Sequence, residues 1–169
     1  MTQPVTTVVT LLRQAASDIE SELRGSSMAP ALMPGVRIRI RCGAEPRAGD
    51  VVAYFGESPV IAHRVISRIR RRGAAYVMTS GDANWFCDAP IAPDRVLGVV
   101  TAYLDGATWR PVPAPPPTPR LARVWSRLSY WLVATSLFMS DRYAMRASFL
   151  MSELAPRIQR SAFAGGAPS

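Results

Sequence analysis

Residues 36–42, VRIRIRC, alternate strictly between apolar and charged side chains. Successive side chains of a β-strand point to opposite faces, so this period of two predicts a half-buried strand. Val36, Ile38, Ile40 and Cys42 would lie on its inner face, and the three arginines would face solvent. A strand that buries one face requires a sheet, and the sequence on its C-terminal side supplies further strands.

Short apolar runs separated by turn formers continue from this strand to about Tyr103. Breaks such as Ala48-Gly49-Asp50, Arg72-Gly73 and Gly81-Asp82 end one run before the next begins. The runs are DVVAYF (50–55), VIAHRVISRI (60–69), AYVMTS (75–80) and VLGVVTAYL (96–104). The fold predicted for residues 25–109 is therefore mainly β, a compact core with helices at both ends of the chain.

The N-terminal residues 1–24 predict an amphipathic helix. Apolar residues from Val5 to Leu23 recur at helical spacing, so the helix is expected to run to about Leu23. The apolar run VTTVVTLL is short and is soon followed by Arg13 and Asp18, which is typical neither of a signal peptide nor of a transmembrane helix. We therefore expect a cytoplasmic protein, peripheral to a membrane at most.

The segment RPVPAPPPTP, residues 110–119, predicts an extended linker, because proline fixes φ and removes hydrogen-bond donors. Beyond it, residues 120–160 predict a helical segment whose apolar face carries Leu121, Val124, Trp125, Leu128, Leu132 and Thr135. This face could pack on the protein's own core, on a membrane surface or on a protein partner. Residues 161–169 are expected to form a disordered tail.

All 20 basic residues are arginine, in a chain with a formal net charge of +8. An arginine-only composition is typical of a GC-rich genome, so the charge does not by itself indicate nucleic acid, and we predict no such partner. The absence of lysine excludes mechanisms that need a lysine amine. Histidine is the side-chain type that ordinarily exchanges a proton near neutral pH, and His63 is the only one.

The two cysteines, Cys42 and Cys87, are too few and too far apart for a zinc site built from cysteine pairs. We expect both to be reduced, because the sequence carries no export signal. Neither a metal nor another cofactor is predicted.

Candidate catalytic residues are Ser27 in GSSMAP, His63 in AHRVI, and Asp82 and Asp88 in TSGDANWFCD. Together with AGDVVAY and VLGVV, these motifs resemble, in order, the motifs of the type I signal peptidase family over about residues 25–100. The resemblance is to the archaeal and endoplasmic-reticulum branch, which uses histidine where most bacterial members use lysine. It implies a signal-peptidase-like β core and a serine endopeptidase that removes a leader or signal-like peptide from a precursor.

The resemblance implies that Ser27 is the nucleophile and that Ser26 is a less suitable candidate. A serine hydroxyl needs a base to remove its proton, and His63 is the side chain of this chain suited to that role. The imidazole in turn needs a carboxylate, for which Asp88 is the first choice by motif position, while Asp82 would brace the loop. These residues define a Ser-His-Asp triad.

The sequence departs from the family at two places. Many members carry a hydroxyl residue two positions before the nucleophile, where this chain has Gly25, so the oxyanion hole is expected to use the Ser27 amide and the Ser26 hydroxyl. The expected transmembrane anchor ahead of the serine motif is also not found, which leaves the substrate open.

One alternative is a non-catalytic peptide-binding or docking protein that retains the fold. The peptidase is favoured because all three catalytic residues that the resemblance implies are present, namely Ser27, His63 and Asp88. A binding module has no need of all three. A self-cleaving repressor of the serine-lysine kind fits poorly, since it needs a lysine and room for a helix-turn-helix domain.

Overall fold

The structure, a computed structural model, describes residues 3–14, 17–55 and 60–164. A helix, seven strands and two further helices follow one another along the described residues. Their bounds are α1 (Gln3–Gln14), β1 (Asp18–Glu22), β2 (Arg37–Cys42), β3 (Val51–Phe55), β4 (Val60–Arg71), β5 (Ala74–Ser80), β6 (Val96–Asp105), β7 (Thr108–Pro111), α2 (Arg120–Met139) and α3 (Asp141–Ala164). The mainly β fold with terminal helices is confirmed.

All seven strands form one antiparallel sheet in the order β1-β2-β6-β3-β4-β5, and β7 pairs with the second half of β6. The alternation in β2 is confirmed, since Ile38, Ile40 and Cys42 are buried. The five strands predicted from apolar runs are all present, and β1 and β7 are additional.

Contacts divide the chain into two compact units. Unit 1 comprises the described residues of Met1–Ala83 and Ile91–Pro117, which include the whole sheet. Unit 2 comprises the described residues of Asn84–Pro90 and Thr118–Ser169, which include α2 and α3. The later boundary falls inside the proline-rich segment, whose first two residues belong to the edge strand β7.

Strand β3 lies at the centre of unit 1 and is buried on both faces. Val51 and Ala53 pack into a cluster with Met28 on one side of the sheet. Val52 and Tyr54 pack into a second cluster on the other side. Successive side chains of a strand point to opposite faces, so the five apolar residues of β3 contact both clusters because the strand lies between them.

Gly98 permits the close approach of β2 and β6. It lies opposite Cys42 in the antiparallel register, and a Cβ at this position would fall 2.1 Å from the Arg41 carbonyl oxygen. No side chain can occupy that space without moving backbone. The glycine in VLGVV is therefore a packing requirement between two central strands.

The N-terminal helix is shorter than the sequence predicts. Helix α1 ends at Gln14, and Asp18–Glu22 forms the edge strand β1 instead of continuing the helix; Ala15 and Ala16 lie outside the described residues. The competing interaction is cross-strand charge pairing, because Asp18 and Glu20 of β1 lie directly opposite Arg41 and Arg39 of β2. The prediction of a helix to about Leu23 used the spacing of apolar residues alone, so it overlooked the alternating acidic residues of this strand.

Helices α2 and α3 of unit 2 pack against each other. The buried positions of α2 are Ala122, Ser129, Val133, Ala134 and Leu137, and α3 buries Ala144, Ser148, Met151 and Ala155. The apolar face predicted for α2, by contrast, is largely exposed. Helix α3 reaches Ala164, so the predicted tail begins no earlier than residue 165, and residues 165–169 lie outside the described part.

No helix in the described part of the chain combines the length and the hydropathy that crossing a membrane requires.

Gly98→Ala tests the strand packing. We expect this variant to lose about 3 kcal/mol of unfolding free energy, because β2 and β6 must separate to admit the methyl group. Denaturant unfolding followed by circular dichroism measures the loss. Gly25→Ala is the matched control, since its Cβ would have no neighbour closer than 3.9 Å. Equal stability of the two variants would contradict the close approach at Gly98.

Candidate active site

Ser27 lies in a tight turn that the core holds in place. The Ala29 N–H donates to the Ser26 carbonyl at 3.0 Å, and the Leu32 N–H donates to the Met28 carbonyl at 2.9 Å. Met28 and Leu32 are fully buried, which anchors the backbone on the C-terminal side of the serine. Ser27 itself is half-buried and Ser26 is exposed. The apolar half of the motif thus fixes the position of the hydroxyl.

His63 is held by the sheet, opposite Val52 in the β3–β4 register. Only 8% of its surface is exposed. Its Nε2 lies 2.8 Å from Ser27 Oγ, which is within hydrogen-bond distance. The structure therefore brings together two of the predicted residues, 36 positions apart in the chain. A serine hydroxyl that donates to an imidazole nitrogen is the arrangement that general-base activation of the hydroxyl requires.

Tyr54 contacts the other side of the imidazole. Its hydroxyl lies 3.5 Å from His63 Nδ1, and the two rings meet edge to face with centroids 6.2 Å apart. The hydroxyl contact is long, so its main effect is to restrict the orientation of the ring. Tyr54 was not among the residues singled out from the sequence. Tyr54 precedes His63 by nine residues and lies in the adjacent strand. The sequence shows this separation, but the contact follows only from the register of the two strands.

Asp82 forms a buried ion pair with Arg64, the residue after His63. Arg64 Nε and Nη2 donate to the two carboxylate oxygens at 2.8 and 2.7 Å, in the bidentate geometry typical of arginine. Their side chains are 11% and 4% exposed. The next residue, Ala83, donates its N–H to the Ser27 carbonyl at 2.8 Å. The ion pair thus fixes a loop that hydrogen-bonds to the serine turn.

The predicted oxyanion donors differ in their surroundings. Among the described residues, no acceptor bonds the Ser27 amide, so this N–H is available to a ligand. Ser26, the other predicted donor, is exposed to solvent. A Cβ at Gly25 would lie 3.9 Å from Ser27 Oγ, so a methyl group would fit beside the hydroxyl. The assignment of both oxyanion donors stays a prediction.

A cavity of about 540 Å³ opens beside the Ser27–His63 pair. Its walls are residues 21–25 on one side and residues 60–63 on the other, and it is lined largely by apolar surface. Strand β1 pairs only with β2 among the described strands, and β5 pairs with β4 only from Arg64 onward. Both walls therefore carry backbone groups at an edge where no described strand pairs with them, and an added peptide strand could bond there.

Asp88 belongs to unit 2, in the segment Asn84–Pro90. The neighbouring Cys87 fixes this segment to the helices: its N–H donates to Ser129 Oγ of α2 at 2.9 Å, and its carbonyl accepts from Ser148 Oγ of α3 at 3.2 Å. Both serines are buried. The helix pair therefore sets the backbone course of the segment that carries Asp88, whose role as the acid stays a prediction.

Cys42 and Cys87 are both buried free thiols. Burial, assisted by the negative charge of Asp88, raises the pKa of the Cys87 thiol far above its ordinary value. Burial and the charge of Asp18 also raise the pKa of Cys42. Neither thiol is suited to act as a nucleophile. Within the described residues, no group of three histidine, cysteine or acidic side chains lies close enough to hold a metal ion.

In comparisons with known proteins, no family model matches the chain, and no curated protein matches it significantly. A functional assignment therefore rests on the geometry of the site and on the motifs.

Thiol labelling tests the attachment of the 84–90 segment. In a Ser129→Ala/Ser148→Ala variant, the Cys87 backbone loses its hydrogen bonds to both serine hydroxyls, each worth about 1 kcal/mol, so local opening should become on the order of 10- to 30-fold more frequent. Because the high pKa keeps the closed thiol unreactive, the labelling rate of Cys87, measured by mass spectrometry, should rise by the same factor.

Cys42 provides the internal control for this experiment, since the substitutions lie outside its unit. The matched variant is Ser136→Ala/Ser152→Ala, whose hydroxyls donate to carbonyls of their own helices. Unchanged labelling of Cys87 in the first variant, or an equal increase in the matched one, would show that the two serines do not hold the segment.

Proposed function

We propose that this protein is a serine endopeptidase of the signal peptidase kind, which removes a leader or signal-like peptide from a precursor. The observation that carries the proposal is the 2.8 Å contact between Ser27 Oγ and His63 Nε2 at the edge of a cavity, beside two strand edges with which no described strand pairs. The ordered motifs from GSSMAP to VLGVV add the family resemblance.

In the acylation step, Ser27 Oγ attacks the carbonyl carbon of the scissile peptide bond while its proton passes to His63 Nε2. The carbonyl oxygen becomes an oxyanion, which the Ser27 N–H stabilises. His63 Nε2 then gives its proton to the leaving amine nitrogen, the C–N bond breaks, and an ester on Ser27 remains.

In the deacylation step, water attacks the ester carbonyl and gives a proton to His63 Nε2. The same nitrogen returns that proton to Ser27 Oγ as the ester bond breaks, which restores the starting state. Both steps need Nε2 as the acceptor, so the neutral ring carries its proton on Nδ1. Asp88 is the carboxylate that we assign to the imidazolium, and Tyr54 limits rotation of the ring.

The substrate we propose is an extended peptide lying between residues 21–25 and 60–63. Backbone groups at both edges would bond to it in the manner of an added strand, which makes affinity largely independent of sequence. Apolar wall residues such as Leu23, Val60 and Ala62 suit small or aliphatic side chains. The family resemblance also implies small side chains near the cut.

A peptide-binding protein without catalysis is the second candidate. The two strand edges beside the cavity favour it as much as they favour a peptidase, because both functions require a binding site for an extended chain. Only the contact between Ser27 and His63 separates the two, since binding alone requires no activated hydroxyl.

Reaction with a serine-directed acylating probe tests the nucleophile. We expect a mass increase on Ser27 that is lost in Ser27→Ala, retained in Ser26→Ala, and slowed on the order of 10³-fold or more in His63→Ala. Cleavage of a leader-like peptide should fall in parallel, because hydroxyl and imidazole act as one unit. Free imidazole should partly restore the His63→Ala variant by filling the space of the lost ring.

Full activity in Ser27→Ala, or equal losses in Ser27→Ala and Ser26→Ala, would reject Ser27 as the nucleophile. If the unaltered protein binds extended peptides but neither reacts with the probe nor cleaves them, the peptide-binding alternative replaces the peptidase.

Two carboxylate variants separate the roles of Asp88 and Asp82. Asp88→Asn should lower the cleavage rate by up to ~10⁴-fold and leave the unfolding free energy nearly unchanged. Asp82→Asn should lower the unfolding free energy by about 3 kcal/mol, because it leaves the buried Arg64 cation unpaired. Rate measurements and denaturant unfolding on both variants give the comparison.

The control for loss of a carboxylate is Asp105→Asn. Asp105 pairs with Arg110, and both side chains are more than half exposed, so this variant should change neither the cleavage rate nor the unfolding free energy by much. A stable but inactive Asp82→Asn together with an active Asp88→Asn would reverse the assignment.

A further inference from the structure

Helix α2 carries a continuous row of large apolar side chains on its exposed side. Their exposed fractions run from 39% at Leu132 to 64% at Trp131. We call this row the α2 stripe, and it consists of Leu121, Val124, Leu128, Trp131, Leu132 and Phe138. The opposite side of α2 buries small residues such as Ala122 and Ser129. A contiguous exposed apolar surface on a folded domain marks an interaction site.

Helix α3 also exposes large apolar side chains. Tyr143, Met145, Phe149 and Leu150 are all more than half exposed, while Ala144 and Ser148 are buried. Both helices of unit 2 therefore expose several large apolar residues, although Val133, Leu137 and Met151 are buried together with the small ones. Ordinary packing of an amphipathic helix places the large apolar residues inside, so the number that is exposed here indicates that something outside unit 2 contacts them.

Charge identifies the kind of occupant. Helix α2 contains three arginines, Arg120, Arg123 and Arg127, and no acidic residue. The three line one shallow cavity of about 280 Å³ with Val124 of the stripe. Over residues 118–158, six arginines oppose two carboxylates, which leaves a net charge of +4. The occupant must therefore offer an apolar interior bordered by negative charge.

We propose that the α2–α3 pair lies on the surface of a bilayer that contains anionic lipids. The stripe would enter the boundary between headgroups and acyl chains, and the arginines beside it would bind lipid phosphates. Helix α2 has 20 residues and is about 30 Å long, so lying flat would bring its whole stripe into contact. The proposal does not rest on peptide hydrolysis, because it concerns binding alone.

A second copy of the chain fits this surface less well than lipid does. Two α2 stripes that faced each other would bring Arg120, Arg123 and Arg127 of one copy near those of the other. With no carboxylate on α2, that charge would have no counterpart on the opposing helix. Negatively charged headgroups supply the missing counterpart.

Vesicle binding by the full chain tests the proposal. Sedimentation with vesicles of 70% phosphatidylcholine and 30% phosphatidylglycerol should carry the protein down, and vesicles of phosphatidylcholine alone should bind it far more weakly. Arg120→Gln/Arg123→Gln/Arg127→Gln should lower the partition coefficient on the order of 100-fold, since each basic residue near the surface contributes a factor of about five. Leu128→Ser/Trp131→Ser should lower it 10-fold or more.

The matched control for charge is Arg47→Gln/Arg70→Gln/Arg72→Gln, three exposed arginines of unit 1. The control for apolar surface is Met33→Ser, which is exposed in unit 1 to a similar degree. Both should bind as the unaltered protein does, and circular dichroism verifies that every variant is folded.

Three results would overturn the proposal. The first is failure of the unaltered protein to bind the anionic vesicles. The second is an equal loss of binding in the unit 1 control, which would show non-specific attraction by the net charge of +8. The third is a concentration-dependent dimer that Leu128→Ser/Trp131→Ser abolishes in the absence of lipid, which would assign the stripe to a second copy.

Discussion

The guanidinium of Arg64 joins the segments on which the candidate site depends. Besides its two bonds to Asp82, it donates to the carbonyl oxygens of Gly49 and Pro113 at 2.8 and 3.1 Å. It thereby ties strand β4 to the turn before β3, to the loop after β5 and to the chain beyond β7. Arginine suits this place because its planar fork offers five donors and keeps its charge when buried.

The ion pair between Arg64 and Asp82 affects the candidate site because each of its residues is next in sequence to a residue of the site. His63 precedes Arg64, so the ring points to one face of β4 while the guanidinium bonds on the other. Ala83 follows Asp82 and holds the carbonyl of Ser27. One buried ion pair therefore fixes both the strand that carries the imidazole and the loop that bonds the serine turn. The 2.8 Å distance between Ser27 and His63 depends on this shared support.

The C-terminal helices contribute to the structure in two ways. On their inner side, Ser129 and Ser148 hold the backbone of Cys87, and with it the segment that carries Asp88. On their outer side they present the exposed α2 stripe. Small residues among the buried positions favour close packing of the two helices, and the residues of the stripe are exposed.

Sequence alone determined the alternation of β2 and the four apolar strands after it, because these features follow from local periodicity and need no knowledge of distant contacts. The prediction of Ser27 came from the family resemblance and that of His63 as its base from residue chemistry. The end of α1 at Gln14, the strand β1 and the outward face of α2 were decided by tertiary structure. The first two depend on the arginines of β2, which select a strand for Asp18–Glu22. The third depends on packing against α3, which selects the side of α2 that is buried. Tyr54 and Arg64 likewise became site residues only through strand register and a loop that returns to β4, because a contact between residues far apart in the chain leaves no periodic trace in the sequence.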